Sequence, residues 1–153
     1  MIYDLCLVTY DIWHHDKQSI LYLHMETRHF WLSNTPEVVG SASWGNSVKR
    51  MVTWVRFRDL KTNKEFYFWN THFDHRSQPS REKSAQLILN RVKALKTKLP
   101  VILVGDFNAV AKVNRAYDTL TGQGAFEDSF ETADKKVKAI KVIKFLISKL
   151  INK

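Results

Sequence analysis

The sequence predicts an α/β domain organised around a parallel strand crossover, on three observations. Pro-Val-Ile-Leu-Val at 100–104 is an unbroken apolar run closed by Gly105, the pattern of a fully buried strand. Residues 66–73 form a second apolar strand that runs into the polar cluster Asn-Thr-His-Phe-Asp-His at 70–75. Between the two, Ala85, Ile88, Val92, Leu95 and Leu99 recur at helical spacing from about Pro79 to Lys98. Strand, helix, buried strand is a crossover unit, whose two strands run parallel.

Size and composition fit one globular domain. The chain has 153 residues, 44% of them hydrophobic and 12% aromatic, enough for a sizeable core. No apolar stretch reaches transmembrane length. The N-terminus lacks a basic region leading into a long apolar segment, so no secretory signal is expected. The single cysteine, Cys6, excludes an intrachain disulfide framework and reads as a core thiol. A cytoplasmic location is the expectation. The formal charge of +9 is unevenly spread: residues 135–153 carry seven Lys and no acid, and all 15 acidic residues precede them. The main body is therefore close to neutral, and the basic character says little about what that body binds.

Along the chain, Leu5–Ile12 and Ile20–Leu23 read as short strands around a turn at His14-His15-Asp16-Lys17. The adjacent histidines are solvated or, less simply, ligands. Residues 34–50, with Pro36, Gly40, Gly45 and several Ser and Asn, read as a long loop of the kind that carries function. Met51–Asp59 alternates, and the turn Leu60–Lys64 joins it to 66–73 as an antiparallel hairpin. Phe66, Phe68, Asn70 and His72 share one face of the second strand. Pro79 suits the first turn of the helix, with Ser77 or Ser80 at its cap. Residues 114–121 form a short helix ended by Gly122, and 126–133 a short acidic-apolar stretch. Residues 135–153 have apolar residues at helical spacing and are expected to form a basic amphipathic helix. Such a helix binds an anionic membrane or nucleic acid, or packs its apolar face on the sheet.

The crossover places chemistry. Parallel strands end at one sheet edge, so His72 and Asp106 should project toward one crevice, where open α/β sheets bind ligands. An Asp buried just past a core strand is costly unless paired or bound to a cation. Asp106 can hold a hard cation or orient a water, and the Asn108 amide can meet a phosphate or a metal. The alternative for the pair is an Asx turn capping the strand. His72 can donate to a phosphoryl oxygen or act as a general acid; otherwise it is a half-buried, satisfied histidine. Arg50 suits a phosphate at the crevice edge, or is a strand-end surface charge. Asp74, His75 and Arg76 form a polar rim that grips substrate or is simply solvated. Of the tryptophans that could stack on a base, Trp54 and Trp69 read as strand packing, and Trp44, in the loop, as the substrate contact.

Phe-Trp-Leu-Ser-Asn-Thr-Pro-Glu-Val (30–38), Ser-Trp-Gly-Asn (43–46), Lys-Arg-Met-Val-Thr-Trp-Val (49–55), Asn-Thr-His-Phe-Asp-His (70–75) and Gly-Asp-Phe-Asn-Ala (105–109) occur in that order. This series resembles the endonuclease/exonuclease/phosphatase family of metal-dependent phosphoesterases over about residues 30–134. The resemblance implies a partial two-sheet α/β sandwich over residues 1–134 and phosphoester hydrolysis with Mg²⁺ or Mn²⁺. It implies that His72 contacts the scissile phosphate, that Asp106 orients or deprotonates the attacking water, and that Asn108 helps hold phosphate and metal. The expected catalytic set is His72, Asp106 and Asn108, with Asp106 and Asn108 as metal ligands; Arg50, Asn70, Asp74, His75 and Trp44 remain the candidate substrate contacts. Against the family pattern the sequence reads as truncated at both ends. The expected N-terminal Asn and Glu are not found before residue 30, where Glu26 lacks their context. No Ser-Asp-His segment follows Asp134. Two outcomes stay open: an active phosphoesterase that completes its site locally or by self-association, and an inactive homologue serving as an interaction module.

Overall fold

The computed structural model describes residues 21–122, 125–132 and 144–148. Along the chain these form β1 (Tyr22–Trp31), β2 (Met51–Asp59), β3 (Glu65–His72), α1 (Gln78–Ala94), β4 (Val101–Asp106), α2 (Arg115–Thr121), β5 (Phe126–Asp128), α3 (Ser129–Thr132) and β6 (Lys144–Ser148). The expected strand at 5–12, the histidines at 14–15, Cys6, and the tail on either side of β6 lie outside the described residues.

The strands make one sheet in the order β1-β2-β3-β4-β6-β5. β2 and β3 form the expected antiparallel hairpin, with Trp54 opposite Trp69. Its turn is set by Asp59, whose Oδ1 accepts from the N–H groups of Lys61 (2.7 Å) and Thr62 (3.1 Å). Asn63 there takes φ +56°, a left-handed conformation that Asn tolerates better than most residues. β1 is longer than the 20–23 segment read from the sequence and pairs antiparallel with β2.

α1 begins where the sequence places its signals. Ser77 Oγ accepts from the Ser80 N–H at 3.2 Å, and Pro79 occupies the first turn, where its missing N–H costs nothing. The helix stops at Ala94, before the expected Lys98, and Lys96 reverses the chain at φ +46°. Ala85, Ile88 and Leu89 pack with Val52, Trp54, Tyr67, Trp69, Val101 and Leu103 in one buried cluster, against which Val92, Leu95 and Leu99 lean. Trp54 and Trp69 stack at 6.1 Å between ring centres, confirming both as packing residues.

β3 and β4 pair in parallel, from Tyr67 opposite Val101 to His72 opposite Asp106. The crossover is therefore present and carries both residues to one edge. Beyond it, Asn114 caps α2 by accepting from the Ala116 N–H at 2.9 Å, and Gly122 ends that helix. Tyr117 of α2 donates to Asp128 Oδ2 of β5 at 3.0 Å, both residues buried. Burial, with the Asp128 bond and charge, pushes the Tyr117 phenol up to about 12.

One expectation is overturned. Over Lys144–Ser148 the chain is a strand, not part of a basic amphipathic helix, and it pairs antiparallel with both β4 and β5. Phe145-Leu146-Ile147 is a short apolar run that satisfies helical spacing and strand composition alike. The open edge of β4, with its unpaired N–H and C=O groups, decides between them. No helix among the described residues is long and apolar enough to cross a membrane.

Candidate functional site

The site is assembled where β3 and β4 end. Gly105 makes this possible. It has φ +141°, and a Cβ there would lie 1.8 Å from the Thr71 carbonyl oxygen. Only glycine lets β4 lie this close to β3 one residue before Asp106.

Past Gly105 the chain turns tightly. The Asn108 N–H donates to Asp106 Oδ1 at 2.9 Å, so the Asx turn is real. It leaves Oδ2 facing His72, whose Nε2 lies 3.6 Å away, an ion-pair separation. Both side chains stay accessible, 49% exposed for His72 and 35% for Asp106. Asn108 adopts φ +45°, and its Nδ2 donates to the Phe73 carbonyl at 3.0 Å. The Phe73 N–H in turn donates to the Asp106 carbonyl at 2.9 Å. Phe73 and Phe107, both buried and edge-to-face at 5.2 Å, support the two turns from below. His72, Asp106 and Asn108 thus form one constellation.

Arg50, just before β2, joins this group. Burial lowers its pKa, while the charges of Asp74 and Asp106 act to raise it. Its buried Nε has no hydrogen-bond partner among the described residues. Asn70, partly buried, lies two residues before His72 on the same face and opposite Thr53 and Val104.

Two expected substrate contacts are corrected. Asp74 is completely buried. Its Oδ2 accepts from the Ser47 N–H (2.8 Å), the Ser47 hydroxyl (2.9 Å) and the Val48 N–H (3.2 Å). Its Oδ1 accepts from the N–H groups of Arg76 (2.9 Å) and Ser77 (2.8 Å). A carboxylate with five donors has no capacity left for substrate; it welds the 47–48 loop to the turn after β3. Trp44 is only 9% exposed and packs in the core, its Nε1 donating to Asn34 Oδ1. A loop position suggested access, but the loop folds back on α1, where Ser77 Oγ donates to the Trp44 carbonyl at 2.9 Å. His75 stays exposed at the rim, its Nδ1 3.5 Å from Ser47 Oγ.

Burial alone would raise the Asp74 pKa. The N–H groups of Ser77 and Arg76, the Ser47 hydroxyl and the Val48 N–H more than offset this and hold the carboxyl well below the usual range. A folded pKa below the unfolded value of about 3.9 means Asp74 stabilises the fold fully above that pH, and the contribution is lost as pH falls. Asp74→Asn presents an NH₂ to some of these donors and should cost about 3 kcal/mol. Urea unfolding at pH 7 and pH 3 checks this: the difference from wild type should shrink at the lower pH.

Residues that carry no chemical signature complete the frame. Arg81 donates through Nη1 to the Asp74 carbonyl at 2.8 Å, and through Nε and Nη2 to Gln78 Oε1. Gln78 in turn meets Asn114. In the sequence Gln78 lies just before the expected helix start at Pro79, Arg81 lies within its first turn, and Asn114 is only the first residue of the short helix at 114–121.

Among the described residues no group of three or more His, Cys, Asp or Glu side chains could hold a metal ion. Asp74 is saturated, and the Asn108 amide is committed to Phe73 through its nitrogen. The described residues therefore do not by themselves fit the octahedral oxygen shell of Mg²⁺.

Several solved structures share this arrangement of strands and helices. A mannosyl-6-phosphatase of Bacteroides thetaiotaomicron is 30% identical, with a TM-score of 0.76 over 86% of this chain and 54% of its own. An endonuclease/exonuclease/phosphatase of Bacteroides vulgatus is 29% identical, with a TM-score of 0.74 over 83% of this chain and 54% of its own. The human nocturnin catalytic domain, 13% identical with a TM-score of 0.62, shares the fold, covering 84% of this chain and 48% of its own. An uncharacterized protein of Acanthamoeba polyphaga mimivirus is 32% identical over 69% of this chain and 40% of its own length. The chain thus spans about half the length of the proteins it resembles. The endonuclease/exonuclease/phosphatase family profile matches residues 9–134, beginning upstream of the motifs at 30–134. On that match, together with the paired strand ends that carry His72 and Asp106, the chain belongs to the endonuclease/exonuclease/phosphatase family.

Proposed function

We propose that this chain carries the phosphate-binding and water-activating part of a phosphoesterase. The observation behind this reading is the 3.6 Å approach of His72 Nε2 to Asp106 Oδ2 at adjoining strand ends, with the Asp106 charge also acting on Arg50. Asp106, steadied through Oδ1 by the Asn108 N–H, orients a water and takes its proton as the water attacks phosphorus. His72 and Arg50 hold the non-bridging oxygens on which charge grows in the transition state. His72, half exposed, also lies where a leaving oxygen could receive a proton. Dependence on Mg²⁺ or Mn²⁺ belongs to this proposal as a condition to be tested by chelation, with no step routed through the ion. The 30% identity to a mannosyl-6-phosphatase makes a sugar phosphomonoester the first substrate to try.

A second reading, phosphate binding without turnover, is favoured by the missing ligand cluster among the described residues. One experiment separates the two. Hydrolysis of mannose 6-phosphate, a generic phosphomonoester and a generic phosphodiester is followed with Mg²⁺, Mn²⁺ or EDTA, for wild type and Arg50→Met. Arg50→Met should lower kcat/KM about 100-fold, the loss typical of one oxyanion-stabilising donor, and the EDTA arm shows whether turnover needs an added ion. Phosphate binding with no hydrolysis of any substrate would favour the second reading.

A further inference from the structure

The segments that follow His72 and Asp106 are tied a second time, farther out. One enters α1 and the other α2, and at those two helix starts the side chains of Gln78 and Asn114 meet face to face. Gln78 Nε2 donates to Asn114 Oδ1 at 3.1 Å, and Asn114 Nδ2 donates to Gln78 Oε1 at 2.8 Å. Both hydrogen bonds of a carboxamide pair are made, although the residues are 36 apart in sequence. The pair is fixed on each side. Asn114 Oδ1 also caps α2 through the Ala116 N–H at 2.9 Å. Gln78 Oε1 also accepts from Arg81 Nε at 3.0 Å and Nη2 at 2.7 Å, and the same guanidinium holds the Asp74 carbonyl at 2.8 Å. The route from Asn114 to the turn after β3 is therefore a continuous chain of hydrogen bonds.

We infer that Gln78 and Asn114 are positioning residues: their reciprocal carboxamide bonds lock the segment after β3 to the segment after β4 and so hold His72 and Asp106 in register for one phosphate. The strand pairing alone ends at His72 and Asp106. Past it, the site depends on the Phe73 N–H to Asp106 carbonyl bond, the Asn108 N–H to Asp106 carboxylate bond and the Asn108 amide to Phe73 carbonyl bond. Two short turns held by three hydrogen bonds and the Phe73–Phe107 ring contact can still shear past one another unless their far ends are joined. A misplacement of about 1 Å is enough to cost a reaction up to 100-fold. The pair is chemically particular. A carboxamide presents its donor and its acceptor on two separate atoms side by side; a carboxylate has no donor, and a hydroxyl has one atom for both, so neither reproduces the reciprocal pair.

This inference rests on His72 and Asp106 acting on the same phosphate, so its test has a readout that needs no turnover. Asn114→Ser and Asn114→Asp both keep a side-chain oxygen to cap α2. The first removes the amide without adding charge; the second turns a carboxylate oxygen toward Gln78 Oε1. In the full-length chain both variants should keep a melting temperature within about 3 °C of wild type. Amide hydrogen exchange at Phe73 and Asn108 should accelerate about 10-fold, while that at Trp54 and Trp69 in the hairpin stays as in wild type. On a generic phosphomonoester kcat should fall about 10-fold with KM within about 2-fold. Unchanged exchange at Phe73 and Asn108 overturns the inference, whatever happens to the rate. Faster exchange with an unchanged kcat overturns it as well. If wild type hydrolyses nothing and exchange accelerates only at the site, the lock stands and the phosphoesterase reading fails.

Discussion

Gly105→Ala should leave little folded protein. The new Cβ would stand 1.8 Å from the Thr71 carbonyl oxygen and 2.8 Å from its carbon, both backbone atoms of β3. Neither can move without breaking the parallel pairing that aligns His72 with Asp106. The backbone at φ +141° adds strain that an L side chain rarely accepts. A clash with the backbone of a core strand belongs with the largest single-residue effects, above about 4 kcal/mol. Domains of this size have only about 5–15 kcal/mol to lose. Urea unfolding of whatever soluble protein is recovered measures the cost. A loss under about 1 kcal/mol would mean that β4 has slack where none is seen.

The second large effect concerns the pair itself. His72→Ala and Asp106→Asn should each lower kcat by about 1,000-fold, because in the proposed reaction one holds the phosphoryl group while the other activates its attacker. The double variant should lose little more than the worse single one, since groups that act as a unit give non-additive losses. Multiplying losses, about a million-fold together, would mean that the two work on separate steps. Both side chains are at least a third exposed, so the substitutions should leave the unfolding midpoint close to wild type. A coupled loss in rate without a loss in stability is the expected pattern.

Much of this geometry was legible because it rests on local signals. Ser77 and Pro79 mark a helix start, and the run ending at Gly105 marks a buried strand; together they require a parallel crossover. From that follows the meeting of His72 with Asp106. What escaped reading depends on contacts between distant segments. Nothing in Asp74 announces that five donors, from Ser47, Val48, Arg76 and Ser77, will converge on it. Trp44 sits in a Gly- and Ser-rich loop, yet a hydrogen bond to Asn34 and packing against α1 bury it. Lys144–Ser148 fits a helix by spacing and a strand by composition, and only the open edge of β4 settles which. Arg50 was legible as a candidate by its place before a strand. The influence of Asp74 and Asp106 on it was not, because the three residues come from separate parts of the chain.

In the proposed reaction Asp106 activates water at a phosphate held beside it. The most direct measurement is phosphate release from a phosphomonoester by the full chain, wild type beside Asp106→Asn, with Mg²⁺ or Mn²⁺ supplied and both proteins matched in their unfolding midpoints. Wild type should release phosphate and the variant should do so about 1,000-fold more slowly, with inorganic phosphate still bound by both. Equal rates in the two proteins would contradict this role of Asp106.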